Sequence, residues 1–284
     1  MQRSLLALFW SMVVLSLVAA AGLLLDPRTI TGAPAFEKPL KFAVSIAVYA
    51  LSFGWVLRSL EGRDRLRRRL GDLTAAVLGQ EVLLIFVQAA RGVGSHFNVR
   101  TLLDGAIFQA MGIAILLLWL AQITVAVLLL RQRFTDPALA WALRFGMILA
   151  VLAGAVGFFM AARLGHTVGA AEGGAGMPLT NWSAGHGDLR TAHFLGLHAL
   201  QLLPLLGWLA SALGLDALRR ARLAVAAGLS YLALFLLVLL QALRGLPLTA
   251  LPPAAALALG LWGALTVALL ARALASPVSA LEAA

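Results

Sequence analysis

The fold is decided by an uninterrupted apolar segment near the middle of the chain. Residues 106–130 read AIFQAMGIAILLLWLAQITVAVLLL and contain no Asp, Glu, Lys or Arg. A helix of about 20 apolar residues spans the roughly 30 Å hydrocarbon core of a bilayer. The segment therefore predicts a transmembrane helix, because a helix satisfies all of its backbone hydrogen bonds within the lipid.

Seven further segments share this length and composition on either side of it. They lie near residues 5–25, 42–57, 73–90, 138–163, 189–213, 223–243 and 252–274. The first follows Arg3 and ends in small residues, as a signal peptide does, but it is long enough to span and we interpret it as a retained helix. We therefore predict an all-α polytopic bundle, a single transmembrane domain over residues 1–284 with about eight spans.

The composition supports lipid as the main environment of this chain. Apolar residues make up 62% of it and charged residues 12%, against about 45–50% and about 25% in soluble domains. The net charge of +10 comes from arginines in short loops between apolar segments, which indicates a topology signal and no nucleic-acid partner. The absence of cysteine excludes disulfides, iron–sulfur clusters and thiolate metal sites.

Lysine and arginine alternate between the two predicted sides of the membrane. The most basic connection, residues 58–69, falls on the side of Arg3, so both termini are predicted to be cytoplasmic. The connection over residues 164–188 then lies outside and is rich in glycine. Connections of this length are usually functional or disordered, and the glycine turns with Trp182 favour an ordered lid.

All five histidines fall on or near the predicted outer side. They are His96, His166, His186, His193 and His198. Imidazole is a common ligand of zinc, copper and haem iron, so we predict His96, His166 and His193 as metal ligands, with His198 as a further cofactor-binding candidate. His193 and His198 are about 140° apart around a helix and cannot hold one ion together. A haem needs two histidines at similar depth in the membrane on different segments, and only His166 and His193 come close to this arrangement.

A polar stripe crosses the segment near residues 73–90. Glu81 lies near its middle, Gln88 lies on the same face about 10 Å nearer the outer surface, and Arg91 ends it. One interpretation is a neutral Glu81 in a helix–helix hydrogen bond. The other is a proton relay, ion site or ligand anchor, with Glu81, Arg91 and Asp104 as catalytic candidates. The alternative for Asp104 is a structural role only, because a carboxylate is favourable at a helix N-terminus.

Further polar residues accompany these candidates at the outer side. They are Lys41, Gln88, Asn98, Asp188, Arg190 and Gln201. Lys41 is expected either to extend to the membrane surface or to pair with an acid from another helix. Asp188 is a plausible helix N-cap, and Asn98 and Asp188 are candidates for orienting a metal-bound imidazole.

Four strings of the sequence resemble those of a bacterial family of multi-pass membrane proteins of unknown activity. They are EKPLKF (residues 37–42), RGVGSHFN (91–98), GHTVG (165–169) and GDLRTAHFLGLHALQ (187–201). The resemblance would cover most of the chain and implies a helical membrane protein of the bacterial cytoplasmic membrane. It implies no activity.

Three functions remain open from the sequence. The first is a metal or haem site at the outer face, used in redox or hydrolytic chemistry. The second is a transporter with a polar path at Glu81, Gln88 and Arg91, gated by the glycine-rich connection. The third is a non-catalytic membrane subunit or assembly factor whose polar outer face docks a protein partner. Whether the protein is an enzyme, and which small molecule or metal it takes, stays undecided.

Overall fold

A computed structural model describes residues 2–174 and 176–275. The described residues do not include Met1, Ala175 or residues 276–284. All of these belong to the predicted domain, and Ala175 also belongs to the predicted loop. The described part forms eight helices, each long and apolar enough to cross a membrane. They are α1 (Arg3–Leu25), α2 (Glu37–Arg58), α3 (Asp64–Ala90), α4 (Leu102–Arg131), α5 (Pro137–Ala162), α6 (Leu189–Ala212), α7 (Ala217–Leu243) and α8 (Pro253–Ala275). The predicted all-α bundle of eight spans is confirmed.

Several helices extend beyond their apolar segments because polar residues continue or cap them. Helix α3 begins at Asp64 and includes the basic turns before residue 73. The N-cap side chains of Thr101, Asp136, Asp188 and Asp216 each accept a hydrogen bond from a backbone N–H of the first turn. These caps satisfy donors that the start of a helix otherwise leaves without partners. The predicted N-cap role of Asp188 is confirmed.

The eight helices pack as two groups that share one core. Helices α1 to α4 enclose an apolar cluster, and α5 to α7 enclose another. A third cluster joins the groups through Leu5, Phe53, Val125, Met147 and Leu200. Helix α8 packs on α7, and among its described residues only Ala273 is buried. Its remaining apolar side chains suit contact with lipid.

Contacts between the connections define two ends of the bundle. We call the end built from residues 26–36, 91–101, 163–188 and 244–252 the polar end. There the Arg28 guanidinium donates to the Ala90 carbonyl at 3.1 Å, and the Asn181 amide donates to the Thr31 carbonyl at 3.4 Å. At the opposite end Gln132 donates to the Ser59 carbonyl at 2.7 Å. The alternation expected of eight spans is therefore reproduced.

Two short hairpins shape the polar end. Strands β1 (Thr29–Ile30) and β2 (Ala33–Pro34) pair between α1 and α2, and strands β3 (Thr167–Val168) and β4 (Gly187–Asp188) pair between α5 and α6. The second hairpin brings the two ends of the glycine-rich connection together. The middle of that connection reaches α2, where the Lys41 ammonium donates to the carbonyls of Leu179 and Thr180 at 3.3 and 3.4 Å.

Gly187 is the closest contact between this hairpin and α7. A Cβ at residue 187 would lie 2.1 Å from the Ala242 carbonyl oxygen and 2.9 Å from the Gly245 Cα. Both are backbone atoms that cannot turn away, so Gly187→Ala is expected to destabilise the protein by about 1–3 kcal/mol through overpacking. Thermal unfolding in detergent measures this effect.

The matched control is Gly185→Ala, two residues earlier in the same connection. A Cβ there meets no atom within 4 Å, so its melting temperature should equal that of the unmodified protein. Equal melting temperatures for both variants would show that the hairpin does not press on α7.

Candidate functional site

A carboxyl group and an imidazole meet inside the polar end. Glu81 lies on α3, about two and a half helical turns from its end, and its side chain is 3% exposed. His96 belongs to the connection between α3 and α4, which folds inward so that His96 Nε2 lies 3.2 Å from Glu81 Oε1. Glu81 Oε2 is buried and has no hydrogen-bond partner within residues 2–174 and 176–275. A buried charge or polar atom left without a partner is costly, so this pair is the strongest candidate site.

The neighbouring hydroxyl extends the pair to three groups. Ser95 is buried, and its Oγ lies 3.1 Å from His96 Nδ1. With an ionised Glu81, His96 Nε2–H donates to the carboxylate and Nδ1 accepts from the Ser95 hydroxyl. With a protonated Glu81, the carboxyl donates to Nε2 and Nδ1–H donates to Ser95. Both arrangements satisfy the ring, so the three groups form a hydrogen-bonded chain that supports either protonation state of Glu81.

Aromatic rings and one lysine enclose the imidazole. The Phe42 ring centroid lies 5.6 Å from that of His96, and Lys38 Nζ lies 5.7 Å from the Phe42 centroid. Lys38 is close enough to act electrostatically on both His96 and Glu81. It makes no hydrogen bond or ion pair with any described residue, His96 and Glu81 included. On the other side Phe97, held at φ 57°, places its ring between His96 and His166 at 6.1 and 6.2 Å.

The surroundings favour a neutral His96. Burial lowers the pKa of His96 below its ordinary value of 6.5 and the positive charge of Lys38 lowers it further, whereas the hydrogen bond to Glu81 opposes both effects. Because the folded state disfavours the protonated ring, acidification below the ordinary pKa is expected to weaken the fold around His96.

Titration of His96 tests this electrostatic environment. We expect its midpoint below 6.5, a higher midpoint in Lys38→Gln, where a repelling cation is lost, and a lower one in Glu81→Gln. The measurement is the pH dependence of histidine ring resonances in NMR, assigned with His96→Gln. Lys41→Gln is the control, because Lys41 pairs with Glu37 at 2.5 Å and should leave the midpoint nearly unchanged. An unchanged midpoint in Lys38→Gln would contradict this description.

A second polar network lies at the end of α3. Asp104 is buried in the first turn of α4, and it accepts hydrogen bonds from Arg91 at 2.7 Å, Gln88 at 3.0 Å and the Thr101 hydroxyl at 2.7 Å. Arg91 also donates to Gln88. Every oxygen of the Asp104 carboxylate therefore has a partner, and the network joins two helices. The predicted stripe therefore divides into this network and the Glu81 pair.

A third network closes the hairpin of β3 and β4. The Asp188 carboxylate accepts from Arg190 Nη2 at 2.7 Å and from the Ser183 N–H at 2.8 Å, and it lies 3.5 Å from His166 Nδ1. The opposite nitrogen of His166, Nε2, lies 2.9 Å from Glu172 Oε2. Burial alone would raise the pKa of Asp188, but the hydrogen bonds from His166 and Arg190 outweigh burial and hold it well below the usual range.

The remaining predicted residues do not take part in the Glu81 pair. His193 Nδ1 lies 2.6 Å from the Ala153 carbonyl of α5, and His198 is exposed on α6. Asn98 is buried and donates to the Gly94 carbonyl at 2.9 Å, which shapes its own connection. With its amide nitrogen turned toward them, Gln201 donates to carbonyls of its own helix at 3.1 Å. None of these four residues contacts the Glu81 carboxyl.

The predicted metal site is not supported by this geometry. Across the described ranges no three His, Asp or Glu side chains are placed to hold one metal ion. His96 faces Glu81, His193 faces a carbonyl, and His166 has carboxylates on opposite edges of its ring. A haem between His166 and His193 is likewise unsupported, because both nitrogens of His166 already have partners.

Two residues of this site, Lys38 and Ser95, were not predicted from the sequence, and the expected pairing of Lys41 with an acid of another helix is not observed. Lys38, and not Lys41, is the lysine near Glu81, because Lys41 pairs with Glu37 one turn earlier on its own helix. Ser95 was not among the predicted site residues, although it is adjacent to His96 in the sequence. The four-residue spacing of Lys38 and Phe42, which shares a helix face, was the one available signal for Lys38. Comparison of the chain with models of protein families, with curated proteins and with solved structures found no match in any of the three.

Proposed function

We propose that this protein is a proton-coupled membrane transporter in which Glu81 binds and releases the transported proton through His96. The observation that supports this most is the buried Glu81 carboxyl, which has one imidazole partner and one oxygen without any partner in the described part of the chain. Ionisable groups placed this deep among membrane helices commonly serve proton or substrate pathways. Lys38 lies close enough to Glu81 to interact with it electrostatically.

Proton transfer along Ser95, His96 and Glu81 conserves the number of protons. A proton arriving at His96 Nδ1 gives a transient imidazolium, and the Nε2 proton then passes to Glu81. One proton has entered and one has reached the carboxylate, and the ring is left as its other neutral tautomer. After Glu81 releases its proton, Nε2 gains a proton and Nδ1 loses its own through the Ser95 hydroxyl. The ring then returns to its starting tautomer with no net gain or loss of protons.

Polar residues on one face of α3 provide a route toward the opposite end. Arg67, Thr74, Glu81 and Gln88 recur every seven residues, which places them on one helix face. The Thr74 hydroxyl is buried and has no hydrogen-bond partner among the described residues. An unpaired buried hydroxyl is a position at which ordered water is expected, so water could extend from the opposite end as far as Thr74.

An apolar barrier separates these two polar positions. Val77 and Leu78 of α3 are buried against Met12 and other apolar residues of α1 and α2. A continuous file of water through this region is disfavoured, so protons would not leak from Glu81 to Thr74 in this conformation. Release toward the opposite end would require α1 and α3 to separate, which favours a coupled transporter over a simple proton channel.

The proposed setting is the bacterial cytoplasmic membrane with the polar end outside. The excess of arginine and lysine at the opposite end supports this orientation. The connection over residues 164–188 would then act as the outer lid, since it contacts α2 through Lys41. Lid movement would control access of protons and solute to His96.

Reconstituted protein tests the proposal. Liposomes containing a pH-sensitive dye are given a membrane potential, and a panel of small organic and inorganic solutes is added outside. Proton uptake above that of empty liposomes is expected with at least one class of solute. Absence of proton movement with every solute, in liposomes whose protein is folded and oriented, would contradict the proposal.

A serine hydrolase is the second candidate, favoured by the order hydroxyl, imidazole and carboxylate in Ser95, His96 and Glu81. A histidine bonded to both a serine and an acid activates that serine in many hydrolases. The burial of Ser95 at 4% exposure argues against substrate access. Covalent labelling by a fluorophosphonate that is lost in Ser95→Ala would support the hydrolase, and absence of labelling would favour the transporter.

A further inference from the structure

A basic cavity lies at the opposite end of the bundle, away from the Glu81 pair. It has a volume of about 350 Å³ and is bounded by the start of α1, the end of α2 and the start of α3. Its charged lining residues are Arg58, Arg67, Arg68 and Asp64, and its apolar lining includes Gly54 and Leu57. The cavity therefore carries two more positive than negative side chains.

Two of the three guanidinium groups have no partner among the residues that the structure describes. Arg67 pairs with Asp64 and donates to the Leu60 carbonyl at 3.3 Å. Neither the Arg58 nor the Arg68 side chain makes a hydrogen bond or ion pair with any residue in the described part of the chain. Because Asp64 is already paired with Arg67, no carboxylate in the lining remains to neutralise Arg58 and Arg68.

The arrangement fits an oxygen-rich anion. Guanidinium groups present several N–H donors in a plane and bind phosphate oxygens through paired hydrogen bonds. Basic cavities between membrane helices at a bilayer surface bind the headgroups of anionic lipids. The volume of the cavity is within the range of small-molecule sites. If these arginines served only to set the orientation of the protein in the membrane, they would not need to line a cavity.

We propose that this cavity is a binding site for a phosphate-bearing anion, held by Arg58 and Arg68 with Arg67 fixing the wall between them. The phosphate group comes either from the headgroup of an anionic lipid of the adjoining leaflet or from a soluble phosphate compound. The site lies at the other end of α3 from the Glu81 pair.

The test compares lipid and soluble phosphate on the full-length protein in detergent. Native mass spectrometry measures adducts with phosphatidylglycerol and with phosphatidylcholine, and thermal unfolding measures protection by inorganic phosphate and glycerol phosphate. Selective phosphatidylglycerol adducts identify a lipid headgroup, and protection by the soluble compounds alone identifies a soluble phosphate. Binding of neither kind would overturn the proposal.

Matched double variants separate the cavity from general positive charge. Arg58→Gln with Arg68→Gln is expected to weaken anion binding about ten-fold or more, since each arginine contributes charge-assisted hydrogen bonds. Arg65→Gln with Arg69→Gln removes the same charge from two positions of α3 that are exposed, as Arg58 and Arg68 are, but do not line the cavity. This control pair should retain most of the binding. Equal loss in both pairs would overturn the site.

A conservative pair covers the case in which the first double variant does not fold. Arg58→Lys with Arg68→Lys keeps both charges but removes the planar donor arrangement. It is expected to bind the same anion with an affinity between those of the unmodified protein and of the glutamine pair. Affinity equal to that of the unmodified protein would show that guanidinium geometry plays no part, and would contradict the proposed site.

Discussion

Glu81→Gln is expected to reduce solute-dependent proton uptake into proteoliposomes by about 100-fold, the lower end of typical contributions from positioned proton-transfer groups. Glutamine preserves the size of the side chain and a hydrogen bond to His96, but it cannot take up a proton. The buried surroundings of residue 81 favour an uncharged side chain, so the variant should fold at least as well as the unmodified protein. The effect is measured as the initial rate of dye response at a fixed membrane potential.

A second measurement makes this prediction independent of the transported solute. Infrared difference spectra between acidic and alkaline buffer should contain a carboxyl band that is lost in Glu81→Gln. Glu37→Gln is the control, because Glu37 also lies on a membrane helix but pairs with Lys41 at 2.5 Å. That variant should retain both the band and the uptake. Unchanged uptake in Glu81→Gln would assign the His96 contact a structural role only.

Asp188→Asn is expected to destabilise the protein by about 3 kcal/mol, as removal of one partner of a buried ion pair does. Asparagine remains a good N-cap for α6, so the loss isolates the negative charge. That charge holds Arg190, the Ser183 N–H and His166 around a side chain that is 1% exposed. Thermal unfolding and the rate of proteolysis within residues 163–188 measure the effect.

Asp26→Asn is the matched control for this variant. Asp26 binds Arg28 through the same set of contacts, including 2.6 Å to Nη2 and 3.0 Å to the backbone N–H. Its arginine is 49% exposed, whereas Arg190 is 21% exposed. Solvent weakens such an exposed pair, so the melting temperature of Asp26→Asn should change far less. Equal destabilisation by both substitutions would show that burial does not set the strength of the Asp188 pair.

The pH dependence of the Asp188 network follows from the direction of its pKa. A carboxyl whose pKa is lowered on folding contributes stability above its unfolded pKa and loses it as the pH falls through the lowered value. The pKa of Asp188 lies well below the usual range, so its contribution is complete at neutral pH and persists in mild acid. Proteolysis of the connection in the unmodified protein should therefore stay slow until the buffer is strongly acidic.

The sequence was sufficient for the eight spans because each span is a local property. A run of apolar residues such as 106–130 requires no information from elsewhere in the chain to predict a membrane helix. The N-cap at Asp188 was predictable for the same reason, since capping joins residues two or three positions apart. Prediction of Glu81 as a candidate also needed only the cost of a carboxyl group among apolar neighbours.

Only the tertiary structure decided which polar groups meet. Five imidazoles near one end suggested a shared metal, but ligation depends on helix rotation and side-chain direction, which spacing along the chain does not determine. Packing of α5 against α6 directs His193 to the Ala153 carbonyl, and the inward fold of residues 91–101 brings His96 to Glu81. Hydrophobicity acts on each segment alone, whereas a hydrogen bond requires two distant segments to arrive within about 3 Å of each other.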